Sequence, residues 1–257
     1  MLAKSTLGLF FFLVLSASSI GTQYWPTTKW EKSSPQAQGF EPKAIHEMFQ
    51  FIQKRKFPID SVVIVKNGYL IGEFYSNNTN EHTLSNIYSV TKSFTSALVG
   101  IAIDKGHLKS EEQTLGSIFS KNNVIEDEPK LKDIRVQNLL TMTSGLKTRD
   151  NHLSNYSGVF SLRNSKNWVD YIFSLGTEEK TGEIYNYSNG GSHILAATLA
   201  EITGVSVEKY AERHLFSYIG IKNYKWEKDP QGINHGYSNL ELSARDMAKL
   251  GLLYLNK

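Results

Sequence analysis

The sequence predicts an α+β fold in which helices dominate and a single β-hairpin lies near the start. The hairpin is predicted by residues 61–75, where two β-rich runs flank Asn67-Gly68, the dipeptide that two-residue hairpin turns favour. The helices are predicted by apolar runs that end at glycine, notably residues 96–106 and 191–204. With 257 residues, 40% of them hydrophobic, the chain is long enough for one large domain or two closely packed lobes.

Residues 1–19 are predicted to be a signal peptide. Lys4 precedes an apolar run at residues 7–15, and Ala17 and Ser19 supply the small residues of a cleavage site. We therefore expect an exported protein, periplasmic or extracellular, with membrane association through an uncleaved N-terminal anchor as the alternative. The chain has no cysteine, so neither a disulfide nor a lipidated cysteine can form.

Residues 20–40 are predicted to be an irregular linker, and residues 41–257 the folded domain. The first helix is predicted to begin at Pro42, because proline is favoured in the first helical turn, and to end near Pro58. The hairpin that follows is marginal in water by itself, so it requires further strands or a covering helix. The remaining predicted elements are helices at 96–106, 114–119, 134–142, 168–175, 191–202, 207–215 and 243–255, with a solvated loop at 122–132.

Charge and histidine spacing argue against two classes of function. The net charge of +3 comes from lysines scattered along the chain, without the arginine-rich block or interleaved aromatic residues that are typical of nucleic-acid-binding proteins. The seven histidines are scattered as well, and no pair of them has metal-ligand spacing. We therefore expect no nucleic-acid partner, no metal and no cofactor.

One Ser-x-x-Lys sequence, Ser89 to Lys92, leads directly into a long apolar helix. Residues three apart at a helix start share a face, so the Lys92 amine can lie beside the Ser89 hydroxyl and take or relay its proton. The same pattern occurs at Ser144 and Ser206. Ser206 precedes a charged amphipathic helix and is more simply an N-cap, while Ser144 is followed by glycine at a helix exit. For Ser89 the pattern alone leaves catalysis and N-capping equally open.

A second candidate site element is the glycine-containing segment 182–191, which precedes another apolar helix. Positive charge near a tyrosine stabilises its phenolate, so Tyr187 beside a lysine could act as a general base. Asn189 could orient that lysine or a substrate amide, since its side chain both donates and accepts hydrogen bonds. Tyr-Ser-Asn also occurs at residues 75–77 and 237–239, where turn chemistry explains it more simply.

Four sequence motifs occur in a definite order along the chain. They are Tyr-Ser-Val-Thr-Lys-Ser-Phe at 88–94, Leu-Leu-Thr-Met-Thr-Ser-Gly-Leu at 139–146, Tyr-Ser-Asn-Gly-Gly at 187–191, and the helix that contains Arg245 and Asp246. Together they resemble the serine β-lactamase-related hydrolases, which include class C β-lactamases, D-alanyl-D-alanine carboxypeptidases, esterases and aminohexanoate-oligomer hydrolases.

The resemblance implies both a fold and a reaction. The implied fold is that of β-lactamases and penicillin-binding proteins, an antiparallel sheet with helices on its faces and a helical lobe, with the site between them. Carried over by position, the resemblance makes Ser89 the acyl-accepting nucleophile and Lys92 its proton partner. It makes Tyr187 the general base toward Ser89 and Asn189 a positioning residue. The implied reaction is hydrolysis of an ester, amide or β-lactam bond in a small-molecule or peptide-like substrate, through an acyl-enzyme.

The family pattern continues beyond the helix at 243–255, with further strands and a closing helix. One of those strands carries a Lys-Thr-Gly or His-x-Gly motif, and its backbone N–H contributes to the oxyanion hole. This sequence ends at Lys257, and His235-Gly236 precedes the helix, so it is not expected to replace that motif. Loss of one oxyanion donor costs roughly a hundredfold to a thousandfold in rate.

We therefore expect a C-terminally incomplete domain. The alternative function is a catalytically inactive homologue, or a fragment that needs the missing segment. The same absence predicts that the hairpin presents an open edge and an uncovered apolar face, formed by Val63 and Val65 or by Val62 and Ile64.

Overall fold

The computed structural model describes residues 24–148 and 157–256, and its first helix and hairpin agree with the sequence prediction. Helix α1 spans Pro42–Arg55, and strands β1 (Ser61–Lys66) and β2 (Tyr69–Tyr75) form an antiparallel pair. Asn67 and Gly68 have φ angles of 52° and 81°, as a type I′ turn requires, which explains why this dipeptide connects the strands. The predicted signal peptide lies outside the described residues.

Most of the remaining chain is helical. Its elements in chain order are β3 (Ser85–Asn86), α2 (Thr91–Asp104), α3 (Leu115–Ile118), α4 (Asn123–Glu126), α5 (Pro129–Lys132), α6 (Val136–Leu140), α7 (Ser157–Asn164), α8 (Trp168–Ser174), α9 (Asn189–Thr203), α10 (Val207–Ala211), a π-helical turn (Glu212–Phe216), α11 (Ser217–Ile219), β4 (Lys225–Trp226), β5 (Leu240–Leu242) and α12 (Ala244–Leu255). Within the described ranges, no helix is both long enough and apolar enough to cross a bilayer.

Helix α9 lies at the centre of the main core. All of its residues from Gly190 to Leu199 are buried, and it packs against α2, α6 and α8. Its C-terminus is capped by Gly204 with a φ angle of 67°, as the glycine in the sequence predicts. Because α2 and α9 are both fixed in this core, the residues at their N-termini have well-defined positions relative to one another.

A second small sheet was not predicted. Strands β3 and β4 pair antiparallel with the two sides of β5, and Ser85 lies opposite Leu242 while Trp226 lies opposite Leu240. Each strand has only two or three residues, too few to show an alternating pattern. The sheet places the segment before α12 beside the segment before α2.

The predicted solvated loop at 122–132 is wrong, because this segment forms the short helices α4 and α5. The Asn122 side chain caps α4 by accepting hydrogen bonds from two backbone N–H groups, and Pro129 occupies the first turn of α5. Ile125 and Leu131 are fully buried. Each helix is a single turn that buries one apolar side chain, so helical periodicity cannot be read from the sequence.

The hairpin's apolar faces are covered, contrary to the prediction. On one face Val63 and Val65 pack with Trp30 and with Leu252 of α12. On the other face Phe74 stacks on Phe49 of α1, with 5.8 Å between ring centroids. The predicted open edge is present, since β1 pairs only with β2 in the part of the chain that the structure describes.

The segment before α1 wraps along the hairpin. The backbone N–H of Leu70 donates to the carbonyl oxygen of Glu31, and that of Ser33 donates to the carbonyl oxygen of Leu70. Trp30 is buried, and its indole N–H donates to the carbonyl of Arg245 at 3.2 Å. This stretch therefore packs against the fold through its tryptophan.

Candidate active site

Ser89 lies in a 3₁₀ turn, Tyr88–Val90, that leads directly into α2. Its side chain does not cap this helix, because the N-cap position is Val90, which makes no side-chain cap. By contrast, Ser206 does cap α10, accepting a hydrogen bond from Lys209 N at 3.3 Å. The preceding residue, Tyr88, has a φ angle of 46°, an unfavourable conformation for a non-glycine residue that is often found at functional sites.

The Lys92 amine lies at the junction of three segments. Its Nζ is 3.2 Å from Ser89 Oγ, 2.8 Å from Asn189 Oδ1 and 3.0 Å from the backbone oxygen of Tyr237. Asn189 Oδ1 and the Tyr237 carbonyl can only accept hydrogen bonds, so they hold two N–H groups of the lysine. The nitrogen is thereby fixed beside the Ser89 hydroxyl.

Tyr187 contacts the same hydroxyl. Its phenol oxygen is 2.8 Å from Ser89 Oγ, and Lys92 Nζ lies 4.8 Å from the centroid of its ring. The structure thus brings Ser89, Lys92 and Tyr187 together, although 98 positions separate Ser89 from Tyr187. Ser89 is exposed while Lys92 and Tyr187 are partly buried, so an external molecule can reach the oxygen that the other two contact.

The start of α9 fixes Asn189 and the end of the Tyr187 segment. Ser188 is the N-cap and accepts a hydrogen bond from Gly191 N at 2.8 Å. Gly190 packs so closely that a Cβ atom there would lie 2.6 Å from Thr148 Cγ2. This close approach explains the glycine that follows Asn189, because a larger side chain would displace the helix start that carries the asparagine.

The second Tyr-Ser-Asn sequence, at 237–239, also belongs to the site, and its interpretation as turn chemistry alone was wrong. The Tyr237 carbonyl holds Lys92, and the neighbouring Gly236 carbonyl accepts a hydrogen bond from Thr95 Oγ1 of α2 at 3.0 Å. The contribution comes from the backbone, which residue type does not reveal. The repeated tripeptide was the available signal in the sequence.

A cavity of about 700 Å³ opens beside Ser89. Its lining residues come from the end of β3, the Ser89 turn, α7, the start of α9 and the second tripeptide; they are Asn86, Tyr88, Ser89, Val159, Phe160, Arg163, Asn189, Tyr237, Ser238 and Asn239. Arg163 was not predicted as a site residue. It lies on α7, which the sequence pattern also missed, and its Nε is 3.3 Å from Tyr237 Oη.

Behind Tyr237 lies a buried cluster of aromatic and ionisable side chains. The ring of His235 is parallel to that of Tyr237, with 5.7 Å between centroids, and lies 4.5 Å from that of Trp168. Burial lowers the pKa of His235 to about 4, and the neighbouring His193 adds to this shift.

The same cluster contains a fully buried histidine–carboxylate pair. His193 Nε2 lies 3.0 Å from Asp229 Oδ2. Burial alone would raise the pKa of Asp229, but hydrogen bonds from His193 and from the backbone N–H of Ile233 outweigh it, so the pKa lies below its ordinary value. Among the described residues no group of histidine and acidic side chains is placed to hold a metal ion.

A family model described as Beta-lactamase matches residues 45–257. Solved structures with similar folds include a candidate 6-aminohexanoate-dimer hydrolase from Bacillus anthracis, at 20% identity and a TM-score of 0.70 over 90% of this chain and 63% of that one. A penicillin-binding protein homologue from Pyrococcus abyssi has 20% identity and a TM-score of 0.62 over 83% of this chain and 56% of that one. A D-alanine carboxypeptidase from Burkholderia cenocepacia has 17% identity and a TM-score of 0.59 over 81% of this chain and 64% of that one.

These similarities confirm the predicted fold class, which is that of β-lactamases and penicillin-binding proteins. This chain spans less than two thirds of the length of each of the three proteins.

Proposed function

Because this chain belongs to the Beta-lactamase family, we propose that it is a serine hydrolase that cleaves an ester or amide bond through an acyl-enzyme on Ser89. The observation that carries the proposal is the position of the Ser89 hydroxyl, which lies 2.8 Å from the Tyr187 phenol oxygen and 3.2 Å from Lys92 Nζ. A serine is a weak nucleophile until a nearby base accepts its proton.

In the proposed acylation step, Tyr187 acts as its phenolate: Ser89 Oγ attacks the substrate carbonyl carbon while the serine proton moves to the phenolate oxygen, which leaves a neutral phenol. Of the two basic groups, Tyr187 is closer to Ser89 Oγ. The Lys92 ammonium stabilises the negative charge that develops on this oxygen pair. Tyr187 then returns the proton to the leaving alkoxide or amine as the bond between carbonyl carbon and leaving group breaks, so the proton count balances.

In the proposed deacylation step, water replaces the leaving group. Tyr187 removes a proton from the water, whose oxygen attacks the acyl carbonyl, and the Ser89 Oγ–carbon bond breaks with return of that proton to Ser89. Asn189 acts in both steps, because its Oδ1 atom, 2.8 Å from Lys92 Nζ, holds the amine beside Ser89.

We also propose export, on the basis of the N-terminal sequence pattern. The substrate would then be a small molecule or a peptide-like molecule outside the cytoplasm. The mass of the mature chain isolated from a secreting host tests this proposal, since cleavage near Ser19 would remove the leader, whereas an anchor would remain attached.

The test of the hydrolase proposal is intact-mass measurement after exposure to a fluorophosphonate, which phosphonylates activated serines with loss of fluoride. The wild-type chain should gain the mass of one adduct, and Ser89→Ala should gain none. Ser93→Ala is the matched control, because Ser93 is an exposed serine in the first turn of α2, and it should label like the wild type.

Two results would contradict the proposal. An adduct that persists in Ser89→Ala would place the nucleophile elsewhere. A folded wild-type chain that gains no adduct would favour the alternative of an inactive homologue that binds ligand without turnover.

A further inference from the structure

We propose that the cavity beside Ser89 selects substrates that carry a carboxylate group, and that Arg163 is the residue that binds it. The inference rests on the proposed hydrolase function and adds a substrate class to it. The substrate would be a linear ester or amide whose carboxylate is separated from the scissile carbonyl by a short apolar chain.

Arg163 has an available charge within the described part of the chain. It is exposed, and none of the described carboxylates lies within ion-pair distance of it, whereas Arg135 and Arg245 each contact a glutamate. Its two hydrogen bonds to described residues are long and go to neutral groups, 3.3 Å from Nε to Tyr237 Oη and 3.4 Å from Nη2 to Asn239 Oδ1. A guanidinium has five N–H donors, so others remain for a carboxylate.

The second tripeptide holds Arg163 in place through Asn239. The Oδ1 atom of Asn239 accepts hydrogen bonds from Asn86 Nδ2 at 3.2 Å and from Ser238 Oγ at 2.8 Å, in addition to Arg163. Its Nδ2 atom donates to Glu227, which fixes the orientation of the amide with the oxygen toward the arginine. Asn239 also has a φ angle of 63°, so the chain adopts an uncommon conformation at this residue.

The Tyr237 side chain links the arginine to the catalytic lysine. Its ring centroid lies 5.7 Å from Lys92 Nζ, and its hydroxyl contacts Arg163. A carboxylate bound to Arg163 therefore lies near the hydroxyl end of this ring, whereas the lysine beside Ser89 lies nearer its centre. A substrate that reaches both groups needs a short chain between its carboxylate and its scissile carbonyl.

Apolar and aromatic side chains form part of the cavity wall. Tyr88 and Phe160 line the cavity and are each 70% exposed, and Val159 lies beside them. Exposed aromatic surface in a concave site gains free energy when an apolar chain covers it. Arg163 is the one formally charged side chain among the described residues that line this cavity, so it decides which charge on a substrate is accepted.

The test compares two activated esters of equal chain length, 4-nitrophenyl hydrogen glutarate and its neutral methyl ester. The wild-type protein should have a kcat/KM for the acid that is roughly tenfold or more above that for the neutral ester, the size expected for charge-assisted hydrogen bonds. Arg163→Gln should reduce the value for the acid to that for the neutral ester, and Arg163→Lys should retain part of the preference. A higher salt concentration should weaken the wild-type preference for the acid.

Arg213→Gln is the matched control, because Arg213 is an exposed arginine on the π-helical turn, outside the cavity. It should leave both values unchanged. Equal values for the two esters in the wild type would overturn the proposal. So would an Arg163→Gln variant that lowers both values by the same factor, because that result assigns Arg163 a structural role.

A binding measurement separates this proposal from the hydrolase proposal. If the wild type and Ser89→Ala are equally inactive toward both esters, the hydrolase proposal fails while the carboxylate site can still be tested. Calorimetric titration with monomethyl glutarate should then show binding to the wild type that is lost in Arg163→Gln. Absence of binding to the wild type would overturn the carboxylate site as well.

Discussion

Two tyrosines of the site begin the same tripeptide, but their hydroxyl groups have different neighbours. The Tyr187 hydroxyl lies 2.8 Å from Ser89 Oγ, whereas the Tyr237 hydroxyl contacts Arg163 and the Tyr237 carbonyl accepts a hydrogen bond from Lys92. Tyr187→Phe should therefore lower kcat by roughly a hundredfold or more, the usual contribution of a general base. Steady-state hydrolysis of a neutral 4-nitrophenyl ester measures this loss.

Tyr185→Phe is the control for this prediction. Its hydroxyl contacts Met142 Sδ and its side chain is 65% exposed, so the variant should keep its turnover. Tyr237→Phe keeps the carbonyl that holds Lys92 and should lose less activity than Tyr187→Phe. The opposite ranking of Tyr187 and Tyr237 would show that the base had been assigned to the wrong tripeptide.

His235 predicts a pH dependence of stability. Its ordinary pKa is 6.5, and burial lowers the pKa to about 4 in the folded state. Between these values the unfolded chain binds more protons than the folded chain, so a falling pH favours unfolding. The contribution is complete above pH 6.5 and is lost as the pH falls to about 4, with a total on the order of 3 kcal/mol.

Urea unfolding at pH 7 and at pH 5 measures this contribution of His235. His235→Phe keeps an aromatic ring between Trp168 and Tyr237 and should lose less stability over this range than the wild type. His82→Phe replaces a histidine whose side chain is 85% exposed, and it should show the wild-type dependence. An equal loss in the wild type and in His235→Phe would remove His235 as the cause.

At the scale of elements, substitution of a buried glycine and of an exposed glycine should have opposite effects on stability. A Cβ atom on Gly236 would lie 2.1 Å from the carbonyl oxygen of Ser192 in α9, whereas one on Gly100 in α2 has no neighbour within 4 Å. Gly236→Ala should cost about 1–3 kcal/mol of unfolding free energy by overpacking. Gly100→Ala should add up to about 1 kcal/mol, because alanine favours the helix.

Activity separates these two variants further. Gly236 adjoins Tyr237, so displacement of its backbone from α9 should also displace the carbonyl that holds Lys92. We expect Gly236→Ala to have a lower turnover per folded molecule than the wild type. Gly100→Ala should keep the wild-type turnover. Urea unfolding and ester hydrolysis on the same preparations give both quantities. Unchanged turnover in folded Gly236→Ala would show that this segment does not control the lysine.

The elements that the sequence predicts are those with strong local signals. Asn67-Gly68 determines the hairpin turn through its positive φ angles, and Gly204 ends α9 for the same reason. The helices α4 and α5 and the strands β3, β4 and β5 were missed because each is four residues or fewer, and tertiary contacts rather than local pattern stabilise them. The same distinction applies to the site residues. Ser89 and Tyr187 belong to sequence motifs and could be predicted, whereas the positions of Arg163 and the Tyr237 carbonyl depend on packing between segments distant in sequence.

At the scale of the whole molecule, the hairpin is joined to the helical part by an ion pair. Arg245 of α12 donates two hydrogen bonds to the Glu73 carboxylate of β2, at 2.6 and 2.8 Å, and the two side chains are 23% and 12% exposed. Burial alone would raise the pKa of Glu73, but hydrogen bonds from Arg245, Tyr75 and Lys32 outweigh it and lower the pKa to about 2. The ionised Glu73 carboxylate therefore stabilises the folded state above pH 4.5, and this stabilisation is lost as the pH falls to about 2.

Arg245→Met should release the hairpin before it unfolds the rest of the protein. Removal of one partner leaves the Glu73 carboxylate poorly solvated, which should cost about 1–3 kcal/mol. Hydrogen exchange should therefore accelerate in β1 and β2 more than in α9. Arg135→Gln is the control, because its pair with Glu112 is about half exposed at both ends, and it should cost less than about 1 kcal/mol. Equal acceleration in α9 and in the hairpin would instead mean that the two parts unfold as one cooperative unit.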